Sequence, residues 1–162
     1  LSGSPCPGLL FPKSFPLDST AQYPLTQTME GESGLLAGDQ TTRYESSVKC
    51  YAEQRLKNDI ERHFTWGTRN WSSPFISLFS DWNHARNWAI KRPWKRRGNW
   101  EILEIDTSCL DGVYVFKLST IVNKLDACIP KGADTHIKDG YIALHMIPSR
   151  AIVKRHSEVD VV

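Results

Sequence analysis

The chain lacks the close cysteine pairs that a structural zinc site requires. Its cysteines, Cys6, Cys50, Cys109 and Cys128, are widely spaced and form no CxxC pair. Structural zinc usually takes its thiolates from close pairs, so this spacing argues against a zinc site. The same cysteines suit two disulfides in a secreted protein or reduced thiols in an intracellular one, and both readings stay open.

Long apolar runs and a strong charge of one sign are also missing. No run approaches the roughly 20 residues of a membrane-spanning helix. No basic segment followed by an apolar stretch opens the chain, so no signal peptide is expected. A charged fraction of 23% leaves a net charge of only +2. Composition therefore predicts no membrane partner, and the location stays open between secreted and cytoplasmic.

The familiar catalytic signatures are absent as well. The histidines form no HExxH array, so no metal centre is expected, and there is no GxSxG nucleophile motif. There is also no glycine-rich phosphate loop and no dinucleotide fingerprint. His145 falls in a predicted strand, where a hydrogen-bonded core imidazole is the simplest reading.

The length and apolar content are sufficient for one domain with a core. The chain has 162 residues, of which 40% are hydrophobic. Residues 1–46 hold many of the prolines and glycines and predict an irregular N-terminal arm packed on the domain, with one short strand and a long loop. Residues 47–162 are regular and predict an α+β domain.

The regular part begins with an amphipathic helix over residues 47–64. Its apolar residues recur at helical spacing, with charged residues between them. Ser46 or Ser47 is placed to cap the helix, and Gly67 follows its end. The apolar positions are Val48, Tyr51, Ala52, Leu56, Ile60 and Phe64.

A strand over Phe75–Phe79 comes next and carries Ser77 between two apolar neighbours. The Ser77 hydroxyl is either satisfied inside the core or lines a ligand cleft. Ser80 suits an N-cap for a second helix over residues 81–92, which Pro93 ends. One face of this helix is expected to bury Ala85, Trp88 and Ala89 against the sheet.

The remaining elements alternate strands with short helices. Strands are predicted at 100–105, 113–116, 141–147 and 151–153, the last two hinged at Pro148-Ser149, and a two-turn helix at 118–125. Strands without regular βαβ alternation indicate an α+β fold rather than a doubly wound sheet.

One concentrated basic patch, "KRPWKRRGNW" at 91–100, interleaves cations with tryptophans. Such mixtures suit single-stranded nucleic acid, whose phosphates meet charge while its bases stack. The alternative is a solvated loop between a helix and a strand. The residues concerned are Lys91, Arg92, Trp94, Lys95, Arg96, Arg97 and Trp100.

The segment "SPFISLFSD" followed by "HARNWA" resembles the strand-to-helix unit of ADP-ribosyltransferase-like domains. "WEILEIDTSCLDGVYVF" and "YIALHMIPSRAIV" are similar to later strands of that arrangement. The nearest resemblance is to uncharacterised fungal domains with an ADP-ribosyltransferase-like pattern, and it covers most of residues 47–155. It implies a split, mainly antiparallel sheet with flanking helices.

The resemblance also implies roles for particular residues in binding and cleaving NAD. Ser77 matches the serine that braces the nicotinamide ribose, and Ser80 matches the serine that starts the next helix. The expected first-strand arginine falls near Pro12, with Lys13 next to it as a replacement. The expected catalytic glutamate falls at Gly140, with Asp139 beside it. A carboxylate in that position offsets the positive charge that develops on the sugar.

Three functional hypotheses follow. The first is an ADP-ribosyltransferase-like domain with degraded catalytic residues that binds a protein partner or ligand, conceivably as a fungal effector or toxin-like protein. The second is an active NAD-dependent ADP-ribosyltransferase or NAD glycohydrolase with Lys13, Ser77 and Ser80 binding NAD and with Ser77 and Asp139 as catalytic residues. The third is a nucleic-acid-binding module that uses the basic patch at 91–100.

Overall fold

A computed structural model gives the structure of the chain. It describes residues 18–21, 29–31, 34–44, 49–65, 71–91 and 101–161. Over these ranges the fold is α+β, with every strand pair antiparallel, which confirms the fold class predicted from the sequence.

The larger sheet contains six strands. In chain order they are β1 (Asp18–Ala21), β4 (Phe75–Phe79), β5 (Glu101–Ile105), β6 (Val115–Lys117), β7 (Gly140–Leu144) and β9 (Ile152–Ser157). Their order across the sheet is β6-β7-β4-β1-β5-β9. Strand β4 therefore lies near the middle, with Ser77 opposite Ile142 and Phe79 opposite Gly140 on β7.

The smaller sheet contains the other three strands. They are β2 (Met29–Gly31), β3 (Gly34–Leu36) and β8 (Met146–Pro148), with β3 in the centre. Within residues 1–46, the stretches that the structure describes contain three short strands where one was expected. One of them, β1, lies between β4 and β5 inside the larger sheet.

Helices lie between the strands in the order that the sequence predicted. The α-helices are α1 (Lys49–His63), α2 (Trp82–Lys91), α3 (Leu118–Leu125) and α4 (Glu158–Val161). Helix α1 buries Ala52, Leu56 and Ile60, which lie at the predicted helical spacing. Short 3-10 turns cover Thr107–Cys109, Asp134–His136 and Ser149–Ala151. Among the described residues, no helix has both the length and the apolar character to cross a membrane.

The strand predicted at 141–147 is divided between the two sheets. The break falls at His145, whose φ of 68° lies in the left-handed region. Strand β7 ends before this residue and β8 begins after it. The chain therefore changes sheets at His145, earlier than the hinge predicted at Pro148-Ser149, where a 3-10 turn follows β8.

The core consists of apolar clusters on the two faces of the larger sheet. One cluster joins α1 and α3 to Phe75 and Ile142, and another joins the smaller sheet to Ile76 and Leu78. Helix α2 buries Ala85 and Ala89 as predicted. Trp88 was expected to be buried with them but is only partly buried, because it packs at the edge of the small cluster around α2.

Several predicted features lie outside the described residues. They are Cys6, Pro12, Lys13, the caps at Ser46 and Ser47, and residues 92–100 of the basic patch, and nothing is described of the Lys91 side chain. Cys50, Cys109 and Cys128 are described and are free thiols. No group of three or more metal-ligating side chains occurs among the described residues.

Candidate functional site

Ser77 on β4 is hydrogen-bonded to a histidine of α1. Alternation along the strand puts Ser77 on the same face as Phe75 and Phe79, toward the helix. Its Oγ lies 2.7 Å from Nε2 of His63, the last residue of α1. The hydroxyl is therefore held by a side chain from another element, a partner that the sequence analysis did not consider.

The other side of the His63 ring is also fixed. Its Nδ1 lies 2.6 Å from Oγ of Ser73, and that oxygen accepts a hydrogen bond from the amide of Phe75 at 3.1 Å. Phe64 and Phe75 present their rings edge-on to the imidazole. Burial lowers the pKa of His63 from 6.5 to about 4, so the imidazole is neutral near pH 7.

The sequence predicted that Ser80 caps α2, but it does not. The helix starts at Trp82, and Asp81 accepts the amide hydrogen of His84 at 2.7 Å through its carboxylate. Asp81 is therefore the N-cap. The Ser80 hydroxyl instead donates to the carbonyl oxygen of Asp139 at 3.2 Å, next to the backbone bond between the same two residues.

Asp139 lies directly before β7 and is paired with a histidine of α2. Nδ1 of His84 is 2.7 Å from one carboxylate oxygen and 2.8 Å from the other. Because a carboxylate only accepts, His84 donates from Nδ1. Its Nε2 lies 2.8 Å from Nδ1 of His136, so an Asp139–His84–His136 chain joins the start of β7, α2 and the turn at Asp134–His136.

This histidine chain is packed among aromatic rings. The His84 and His136 rings stack with their centroids 4.8 Å apart, and Phe79 lies 4.6 Å from His84. Trp88 meets His136 edge-on at 4.4 Å. His136 is buried, while the side chains of His84 and Asp139 are each 19% exposed. The largely enclosed imidazole of His84 therefore fixes the orientation of the Asp139 carboxylate.

Gly140 leaves no space for a side chain. A Cβ atom built at this position would lie 2.2 Å from the carbonyl oxygen of His136 and 3.2 Å from Leu118. The first contact is with backbone, which cannot rotate away as a flexible side chain can. A glutamate at 140, the residue expected from the resemblance, does not fit this backbone.

Ser77 and Asp139 are hydrogen-bonded to different histidines. Ser77 bonds to His63, whereas Asp139 bonds to His84. Asp139 lies beside Ser80, and Ser80 is three positions after Ser77, which corresponds to about 10 Å along the strand. The structure thus brings Ser80 and Asp139 together but does not bring Asp139 to Ser77, and Lys13 lies outside the described residues.

A family model describes most of this chain. The model of a domain of unknown function, DUF7587, matches residues 21–161. The chain belongs to the DUF7587 family. The matched range of this DUF7587 domain includes both histidine networks and the strands that carry them. No curated protein and no solved structure matches the chain.

The histidines are the part of the DUF7587 site that sequence reasoning missed. His63 and His84 lie on helices whose positions were predicted. His63 is three residues after the buried Ile60 and His84 is four residues before Trp88, so helical spacing places each on a face expected to be buried. Their partners come from segments 10 to 55 residues away. Nothing in the local sequence indicates which serine or carboxylate each imidazole meets.

Proposed function

We propose that this DUF7587 domain is an ADP-ribosyltransferase-like domain with degraded catalytic residues that acts by binding a partner or ligand. The observation that carries the proposal is the closed space at Gly140. The resemblance puts the catalytic glutamate at this position, and its Cβ would lie only 2.2 Å from the His136 carbonyl oxygen. A glutamate there would require the backbone to move.

The geometry of Asp139 supports the same proposal. This residue is the nearby carboxylate that could replace the glutamate, but it faces His84 and lies about 10 Å along the sheet from Ser77. A transition state that develops positive charge on a sugar needs its carboxylate at the reacting carbon. Losing one such preorganised contact typically slows a reaction by about 100- to 1,000-fold.

The hydrogen bond between Ser77 and His63 also supports the proposal. In the ADP-ribosyltransferase-like domains that the chain resembles, the matching serine braces the nicotinamide ribose, which requires its hydroxyl to face the ligand. Here the hydroxyl is 2.7 Å from His63, whose ring is held in turn by Ser73. A ligand would have to compete with that hydrogen bond, so binding at the surface is the better-supported role.

Incubation with NAD labelled in its nicotinamide ring tests the proposal. The purified chain is incubated alone and with a cell lysate, and released nicotinamide is measured with this label. ADP-ribosylated protein is measured in parallel with NAD labelled in its adenine ring, because the nicotinamide leaves during transfer. We expect release at the buffer background for the wild type, for Ser77→Ala and for Asp139→Ala. Ser119→Ala, on α3, serves as the matched control.

One result would make the domain an enzyme. Nicotinamide release well above background by the chain alone, lost in both Ser77→Ala and Asp139→Ala but kept in Ser119→Ala, would establish NAD cleavage at this site. It would also show that Asp139 reaches the sugar in the bound state. The second hypothesis, an active transferase or glycohydrolase, would then replace the one proposed here.

A further inference from the structure

Helix α1 carries a polar groove on the side that faces away from the sheet. The groove is open and has a volume of about 530 Å³. Its lining residues come from the last three turns of the helix and the residues just after it. They are Arg55, Asn58, Asp59, Glu61, Arg62 and Thr65.

The two carboxylates of the groove are already used inside the protein. Asp59 accepts a hydrogen bond from the Tyr44 hydroxyl at 2.7 Å, and Glu61 accepts one from the amide of Cys128 at 2.8 Å. Both bonds attach α1 to other parts of the domain. These acids are therefore structural, and they do not neutralise the arginines beside them through direct pairs.

The two guanidinium groups have no such partner. Arg55 and Arg62 are exposed, and neither makes a hydrogen bond or an ion pair with any residue in the described part of the chain. Arg62 is held in place by the Trp71 ring, whose centroid lies 4.7 Å from its guanidinium carbon. A guanidinium has five N–H donors arranged for carboxylate or phosphate oxygens.

The spacing of these groups forms a stripe along the helix. Tyr51, Arg55, Asn58 and Arg62 follow the i, i+4, i+7, i+11 pattern of one helical face. The two arginines are seven positions apart, which corresponds to about 10.5 Å along the axis. Tyr51, which is 69% exposed, adds an aromatic surface at the N-terminal end of the stripe.

We infer that this stripe binds an acidic helical segment of a partner protein that carries two carboxylates seven residues apart. The inference deepens the binding role proposed above and rests on it. Two carboxylates at that spacing on one helix face match the arginine separation, and bidentate pairs then form at both ends. Asp59 and Glu61 lie between the arginines and repel a continuous polyanion, which disfavours nucleic acid at this surface.

A synthetic helical peptide tests this inference. The probe is a fluorescein-labelled peptide of about 20 residues, based on alanine and glutamine, with two glutamates seven positions apart. Binding is measured by fluorescence polarisation at low and high salt. One control peptide has glutamines in place of both glutamates, and another places the glutamates five apart, on different helix faces. An oligothymidine of similar length is measured in parallel.

We expect the first peptide to bind more tightly than both control peptides, with affinity that falls as salt rises. Arg55→Gln and Arg62→Gln should each weaken binding by about fivefold, and the double variant should weaken it further. Lys154→Gln removes one exposed charge from β9 and should leave binding within about twofold of wild type. Circular dichroism verifies that the variants are folded.

Three results would overturn the inference. The first is equal binding of the glutamate and glutamine peptides. The second is peptide affinity that neither arginine change alters. The third is arginine-dependent binding of the oligothymidine that is tighter than binding of the peptide, which would make nucleic acid the occupant. The NAD assay separates this failure from failure of the proposed function. If the peptide does not bind and NAD is not cleaved, only the inference of an acidic partner is rejected. If NAD is cleaved, the proposed function is rejected whether or not the peptide binds.

Discussion

His84 holds the carboxylate of Asp139 through Nδ1, with the two carboxylate oxygens 2.7 and 2.8 Å away. The pair joins α2 to the start of β7, and it continues through His84 Nε2 to His136. This polar contact between partly enclosed side chains links α2 to β7, in addition to the strand pairing that holds β7 between β4 and β6.

Replacing Asp139 with asparagine should weaken this contact. We expect Asp139→Asn to lower the free energy of unfolding by about 1–2 kcal/mol, because a hydrogen bond to a charged group becomes a neutral one and the pair is only partly exposed. Urea denaturation measures the loss. The exposed Asp134→Asn should change stability by less than about 0.5 kcal/mol, and equal effects at both positions would contradict the role given to His84.

Substitution of Gly140 should be severe. We expect Gly140→Ala to cost about 3 kcal/mol or more, because the new Cβ meets a backbone oxygen rather than a movable side chain. Gly112→Ala should cost only about 1–2 kcal/mol, since a positive φ is strained there but open space surrounds the Cβ. Thermal unfolding compares the two losses of stability. A larger loss for Gly112→Ala would show that the backbone at the start of β7 shifts readily to accept a side chain.

His63 should make stability depend on pH. Its pKa is about 4 in the folded state, below the ordinary 6.5, so the unfolded chain binds the proton first as pH falls. The contribution of this group to stability is therefore lost progressively between about pH 6.5 and pH 4. We expect a loss on the order of 2 kcal/mol, allowing for the part of the ring that solvent reaches.

The variant His63→Gln isolates that effect, because glutamine does not titrate. Urea denaturation at pH 7.5 and pH 4.5 should show a larger drop for the wild type than for the variant. Other groups that titrate in this range, such as His145, are common to both proteins and cancel in the difference. Equal drops would mean that the His63 imidazole is protonated as readily in the fold as outside it.

The backbone at His145 should favour glycine over alanine. Its φ of 68° is left-handed, where alanine is strained by about 1–2 kcal/mol and glycine is not. Both changes remove the imidazole contact with the Thr42 carbonyl, 2.7 Å away, so that loss cancels. We expect His145→Gly to be more stable than His145→Ala by about 1 kcal/mol.

An ordinary helix position gives the opposite order and serves as the control. In the middle of α1, where Gln54 is exposed, Gln54→Gly should be less stable than Gln54→Ala by about 0.5–1 kcal/mol. The sign of the glycine-minus-alanine difference is therefore predicted to reverse between the two positions. The same sign at both would show that the corner between the sheets relaxes out of the left-handed region.

Periodicity alone predicted the elements that carry the site. The apolar spacing of α1 and the alternation of β4 each follow from local rules, because one buried face imposes a repeat of 3.6 or of 2 residues. The helix after β4 was predicted for the same reason, including its buried Ala85 and Ala89. The predicted order of strands and helices, which lacks regular βαβ alternation, was enough for the α+β fold class.

The sequence did not determine which side chains from distant segments form hydrogen bonds with each other. Nothing near Ser77 indicates that its hydroxyl meets His63, and nothing near Asp139 indicates His84, because such contacts depend on how strands and helices pack. Ser80 and Asp81 are both good N-caps locally, and the Asp139 carbonyl decides between them by accepting the Ser80 hydroxyl. The tertiary structure decided the chemistry of the site, since hydrogen bonds need positions accurate to a few tenths of an ångström, whereas burial patterns need only the correct face.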